Sequence, residues 1–253
     1  MLIGFLTALA IGLFAGVLSG SFGIGGASVT TPLMRMLLGV PGHIALGTPL
    51  LLVLPSALTG VWVFYRRGLV KFKTSITCGL SGSVFAVLGA LYTVEFSSKT
   101  LMLMTSVLLI VFSLLLYRDL GRGFKNEALP LKSKVFRSVC VGGVSGFVSG
   151  FLGIGGGFIL VPLLVMFLRV PLHKSIASSL AIIAIYAVPG AITHFMLGHV
   201  DLSLAGLLLA GQIVGSYVGA KNTVETDEKT LKNLMVVFLL LLGVCLAVYE
   251  FFI

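Results

Sequence analysis

Apolar residues run through this chain in long stretches separated by short polar or basic breaks. The stretches fall at about 2–20, 26–39, 44–65, 74–94 and 100–117, then at 136–152, 156–168, 175–197, 202–220 and 233–252. Most of them are long enough for an α-helix to cross the roughly 30 Å hydrocarbon core of a bilayer. The pattern predicts an all-α integral membrane protein of about ten segments. The second and seventh stretches are short, and at about 1.5 Å per residue 13 or 14 residues reach only about 20 Å. Each is therefore expected to form a hairpin with the stretch before it without crossing completely.

Composition agrees with this reading. The chain is 58% hydrophobic and 10% charged, against roughly 25% charged residues in soluble domains. Met1 to Gly20 lacks a basic start and a small-residue cleavage site, so it reads as a retained helix. Cys78, Cys140 and Cys245 are far apart and form no CxxC or Cys/His spacing, which makes them packing residues and points away from metal or redox chemistry.

The chain also repeats itself. Shifted by 130 residues, Gly12–Ala90 aligns with Gly142–Ala220 without a gap. The densest block sets Gly16-Val-Leu-Ser-Gly-Ser-Phe-Gly-Ile-Gly-Gly26 against Gly146-Phe-Val-Ser-Gly-Phe-Leu-Gly-Ile-Gly-Gly156. In the same register Pro32 matches Pro162, Pro41 matches Pro171, His43 matches His173, Gly60 matches Gly190 and Gly68 matches Gly198. Hydrophobic composition alone would not align these backbone-directing residues. The expected organisation is a first repeat at 1–117, a basic linker at 118–134 and a second repeat at 135–253, all in one transmembrane domain.

The formal charge of +9 is a matter of topology. If the first two stretches of each repeat make a return pair, the loops 66–73, 118–137, 169–174 and 221–232 share one side. They carry all the Lys and Arg residues except Arg35 and Lys99. The positive-inside rule places that side in the cytoplasm. The number of passes per repeat is then odd, so the two five-segment repeats are inverted, each opening on a glycine-broken hairpin.

Inverted repeats with broken helices are the pattern of secondary transporters, which hold substrate near the midplane where the halves meet. Gly23, Gly25 and Gly26, with Gly153, Gly155 and Gly156, permit the positive φ that ends one helix and starts the next. The head of each short helix then exposes unpaired amides together with the positive end of its dipole, a combination that suits an anion. Ser19, Ser21, Ser28 and Ser149 lie close enough in sequence to add hydroxyl donors, and Thr48, Ser178, Ser179 and Gln212 are polar residues inside long apolar stretches. Ser and Thr can equally bond back to their own helix, whereas a buried glutamine amide needs partners. Gly12, Gly16 and Gly20, with Gly142, Gly146 and Gly150, have small-residue spacing and are read as close helix packing. His194 is a candidate as an intramembrane ionisable group, although its place near the outer interface also lets solvation account for it. His43 and His173, at matching turns, are read as structural caps.

Enzyme chemistry finds no foothold. There is no HExxH, GxSxG or Walker A motif, and no acidic pair lies inside the apolar stretches. No cofactor, metal or nucleic acid is expected as a partner.

With its paired Gly-Ile-Gly-Gly blocks, each followed six residues later by Pro32 or Pro162, and with its Gly198-His-Val-Asp201 turn, the chain resembles the TauE/SafE family of sulfite and sulfonate transporters. The resemblance implies transport, by expectation export, of sulfur-containing anions such as sulfite, sulfoacetate or other organosulfonates across a bacterial or archaeal inner membrane. A passive anion channel and a membrane subunit of a larger complex remain alternatives. A coupling proton or ion and a homodimer also stay open.

Overall fold

The computed structural model describes residues 2–118 and 130–252; residues 119–129, most of the expected linker, lie outside the described residues. Ten α-helices follow one another: α1 (Leu2–Phe22), α2 (Ala27–Leu38), α3 (Gly42–Arg66), α4 (Phe72–Tyr92), α5 (Ser98–Arg118), α6 (Leu131–Leu152), α7 (Gly157–Leu168), α8 (Leu172–Met196), α9 (Leu202–Glu225) and α10 (Glu228–Phe252). A short 3₁₀ turn at Thr93–Glu95 joins α4 to α5. The fold is all-helical, and no strand occurs among the described residues. Among the described residues seven helices, α3, α4, α5, α6, α8, α9 and α10, are long and apolar enough to cross a membrane. The expected short stretches appear as α2 and α7, of 12 residues each. α6 starts at Leu131, so the end of the expected linker is helical.

The helix ends follow from local chemistry. Pro41 and Pro171 stand just before α3 and α8, and their carbonyls accept from the amides of Ala45 and Ser175 at 2.9 and 2.8 Å. Both helices stop at a glycine with positive φ, Gly68 at 66° and Gly198 at 73°. The amides of Leu69 and His199 then close back on the carbonyls of Phe64 and His194, which is the Schellman arrangement. Asp201 caps α9 by accepting from the amides of Ser203 and Leu204 at 2.9 and 3.1 Å.

α3 and α8 pack on each other and form the centre. α1 lies along α9, α6 along α4, and α5 along α10. The first two of these pairs are seams of small residues. A Cβ on Gly12, Gly16 or Gly20 would collide with the backbone of Leu208, Gln212 or Ser216 on α9. On α6, Gly142, Gly146 and Gly150 stand in the same relation to Cys78, Gly82 and Ala86 on α4. Every partner in the second set is the residue 130 positions from its counterpart in the first. The helices approach this closely because neither side of the seam carries bulk, the usual basis of helix association in lipid.

The outer surface is apolar, with Leu58, Ile76, Leu80, Val84, Leu114, Val214 and Leu241 among many exposed large side chains. Trp62, Tyr65 and Phe72 cluster around the α3–α4 turn, where Arg66 lies over the Trp62 ring at 4.3 Å. Such aromatic and basic residues mark the edge of a bilayer. One ion pair ties the short helix α2 to the last helix: Arg35 Nε to Glu250 Oε1 at 2.7 Å, with the Glu250 side chain buried.

Candidate functional site

The two glycine breaks meet inside the bundle. In the first, Gly23 and Gly25 have φ of 65° and 69°; in the second, Gly153, Gly155 and Gly156 have φ of 61°, 71° and 60°. A side chain would be strained at these positions, so glycine is required there. The break residues of one half touch those of the other. A Cβ on Gly157 would run into the backbone of Ile24, and one on Gly155 would lie 3.5 Å from the Ala27 side chain. The Ser28 hydroxyl on α2 donates across the junction to the Ile154 carbonyl at 2.6 Å.

Neither short helix carries a side-chain cap. The amides of Ser28, Val29 and Thr30 turn back to Gly25 and Gly26, and those of Ile159 and Leu160 turn back to Gly156. Among the described residues, the amides of Gly25, Gly26 and Ala27 in the first break, and of Gly155, Gly156 and Gly157 in the second, donate to no protein acceptor. Both helix heads thus present free donors at the junction, backed by the dipole of a 12-residue helix.

The remaining sequence candidates divide into three groups. Ser19, Ser149 and Gln212 are buried with no hydrogen-bond partner for their side chains. Gln212 is fully buried on α9, and its amide lies against Gly26, where a Cβ would overlap it. Ser28 and Ser179 are at the breaks but already committed, Ser179 donating to the Gly23 carbonyl at 2.7 Å. Ser21, Thr48 and Ser178 stand elsewhere. Ser21 lines a cleft of about 450 Å³ between α1, α9 and α10 and reaches the Gly219 carbonyl at 3.4 Å. Thr48 accepts from the Asp201 amide at 2.9 Å and Ser178 from the Lys71 amide at 3.0 Å, so both anchor turns. These two bonds are again related by 130 residues.

Ser56 and Tyr186 also lie at the breaks, although neither stands out in the sequence. Ser56 is fully buried on α3 with an unpartnered hydroxyl, and its carbonyl accepts from Ser216, one turn beyond Gln212, at 2.8 Å. Tyr186 is fully buried on α8 and donates to the Gly155 carbonyl at 2.8 Å. The 130-residue register pairs the two positions, and that was the signal available in the sequence.

Among the histidines, His194 departs from the solvated position expected of it. His194 is completely buried, with Nε2 on the Gly150 carbonyl at 2.8 Å and Nδ1 on His199 Nδ1 at 3.2 Å. His43 lies 4.9 Å from His199, ring to ring, and bonds Ser98 through Nδ1 at 3.0 Å. His173, its counterpart, pairs instead with Glu228 at 3.3 Å and with the carbonyls of Thr223 and Thr226. No group of three His, Cys, Asp or Glu residues suited to a metal ion occurs among the described residues.

The junction thus brings together two helix heads, free amides and a buried amide side chain without partners. The family profile described as sulfite exporter TauE/SafE matches residues 8–246. The chain belongs to the TauE/SafE family. Known members are similar along nearly all of it. The probable membrane transporter protein YunE of Bacillus subtilis is 25% identical, covering 97% of this chain and 98% of its own length. YdhB of the same organism, also a probable membrane transporter, is 31% identical over 86% and 90%. A probable membrane transporter of Methanocaldococcus jannaschii is 24% identical over 89% and 88%. No solved structure matches the chain. TauE/SafE membership makes this a multi-pass membrane transporter.

Proposed function

We propose that this chain is a secondary transporter for sulfur-containing anions, sulfite or organosulfonates such as sulfoacetate, and that it exports them across a bacterial or archaeal inner membrane. The observation that carries the reading is the Gln212 amide, buried, without a partner on either polar atom, and pressed against the head of α2. A buried polar group without partners costs about 1–3 kcal/mol. A ligand that supplies those bonds relieves that cost, and the free amides beside it make an oxyanion the fitting ligand. The sulfur chemistry rests on the family's description as sulfite exporters.

In this reading residues 1–117 and 135–253 are inverted repeats. The exchange of contacts in register, Gly12 with Leu208 and Gly142 with Cys78, is what a two-fold relation between the halves produces. The basic loops 66–73, 118–137, 169–174 and 221–232 then face the cytoplasm. Alternating access is favoured over a standing pore because apolar side chains close the junction. Val53 and Ile183 side chains would lie 3.8 and 3.4 Å from a Cβ on Gly25, and Val53 would lie 3.4 Å from one on Gly155. Rocking of one repeat against the other would open the junction to each side in turn. Purified protein in liposomes, loaded with labelled sulfite or sulfoacetate, should release the anion with saturable kinetics. Absence of saturable flux for every sulfur oxyanion tried would sink the proposal, and unsaturable flux would point to a channel.

A further inference from the structure

The two breaks share positive φ at Gly23 and Gly153 and at Gly25 and Gly155, part at Gly26 (φ −54°) and Gly156 (φ 60°), and differ in what covers them. Ser56 and Tyr186 hold the same place in their halves, and so do Gly82 and Gln212. At the second break a tyrosine of the second repeat is matched with a glycine of the first. The Tyr186 ring fills the space over Gly82, where a Cβ would lie 2.8 Å from a ring carbon. Its hydroxyl would be 2.7 Å from a Cβ on Gly156, and it donates to the Gly155 carbonyl. That helix head is filled, and the polar group covering it is already bonded within the protein.

The first break reverses the sizes. A serine stands where the tyrosine would be, and a glutamine stands where the glycine would be. The long side chain therefore comes from α9, and it ends in an amide whose nitrogen and oxygen both lack partners. Ser56 Oγ is buried and unpartnered as well, whereas Ser19 Oγ and its counterpart Ser149 Oγ are both unpartnered and do not distinguish the breaks. Val53, one turn before Ser56, reaches toward Gly25, and the Ser216–Ser56 bond holds α9 and α3 together one turn from Gln212. The unmet side chains without an equivalent at the head of α7 are therefore the Gln212 amide and the Ser56 hydroxyl.

We infer that the anion binds at one break only, the head of α2, held by the Gln212 amide, the Ser56 hydroxyl and the free amides of Gly25 to Ala27, while Tyr186 seals the matching position at the head of α7. This rests on the transporter reading above and makes the duplicated site functionally single. The ligand class is a small oxyanion bound by neutral donors. Each donor contributes a hydrogen bond to a charged oxygen, and the helix dipole adds to them.

The test is anion binding to the detergent-purified full chain, measured by calorimetry with sulfite and with sulfoacetate as probes. Gln212→Leu and Ser56→Ala should each weaken binding at least tenfold, whereas Tyr186→Phe should leave it within about twofold. Gln212→Leu should also melt at the same or a higher temperature than the parent when no anion is present, because it replaces an unpartnered buried amide with an apolar side chain. That readout separates loss of a ligand contact from damage to the fold. Parent-like binding in Gln212→Leu and Ser56→Ala would overturn the one-sided site. Equal loss in Tyr186→Phe would overturn it too, while leaving the transporter reading in place. No binding of either probe to the parent chain would remove both.

Discussion

At the α1–α9 seam, Gly12, Gly16 and Gly20 lie against the backbone of Leu208, Gln212 and Ser216, and at the α4–α6 seam Gly142, Gly146 and Gly150 lie against that of Cys78, Gly82 and Ala86. The two seams are matched residue for residue, yet the breaks they lead into carry different side chains. Backbone in contact with a glycine leaves no room for a Cβ, so the seam glycines cannot change in either copy, although the residues facing them do. Above the helix heads a side chain can be exchanged as long as the space stays filled. Tyr186 with Gly82 and Ser56 with Gln212 are two ways of filling it. Structural identity therefore survives in the seams, and chemical difference collects at the breaks.

The largest test of that contrast is a bulky residue in a seam. Gly16→Leu and Gly146→Leu should both prevent accumulation of folded protein, at a cost of more than about 4 kcal/mol each, checked by yield and monodispersity after membrane extraction. If one seam tolerates the change, the equivalence of the seams fails. Next come the breaks. Gly25→Leu and Gly155→Leu each put a side chain at positive φ, costing about 1–2 kcal/mol. They should leave a folded protein with little or no anion flux in liposomes, because both breaks have to move. Normal flux in both would break the link between glycine geometry and transport.

Smaller effects separate the halves further. Ser28 reaches across to Ile154, while its counterpart, Phe158, is apolar and cannot. Ser28→Ala should lower stability by about 1 kcal/mol, read as a modest drop in melting temperature. Thr48→Val and Ser178→Ala remove matched turn anchors and should cost similar amounts. A large difference between them would show that the turns are not equivalent.

The smallest expected effect depends on pH. Burial, with the nearby His43, holds His199 below the ordinary histidine value. Its neutral form is favoured in the fold, so its contribution to stability is present above about pH 6.5 and is lost as pH falls. His194 faces His199 as well, Nδ1 to Nδ1 at 3.2 Å. Asp201 is engaged in capping α9, and Glu95 and Lys99 are exposed on the 93–100 connection. Melting temperature should therefore decline from pH 7 to pH 5, and His199→Gln should flatten that decline. An unchanged slope in the variant would place the pH sensitivity elsewhere.

Much of this was legible in one dimension. The ten helices, the two short ones and the glycine breaks follow from apolar run length and from where glycine and proline fall, because in lipid the backbone must satisfy itself within a helix. The seam glycines were readable from their spacing. The fate of each hydroxyl was not. Ser28, Thr48, Ser178 and Ser179 look alike in the sequence, but the fold commits them to Ile154, Asp201, Lys71 and Gly23 while leaving Ser19, Ser56 and Ser149 without partners. The burial of His194 depends on α6 bringing the Gly150 carbonyl to it.

By itself, the sequence determined that the chain spans a membrane, that it is duplicated and where its helices break, since these depend on hydrophobicity, repetition and backbone freedom along the chain. Only the tertiary structure decided that the two breaks touch, which donors remain unpaired there and that Tyr186 covers one head while Gln212 faces the other. Those outcomes depend on which residues distant in sequence arrive at the same few ångströms, and a hydrogen bond or a collision exists only once they do.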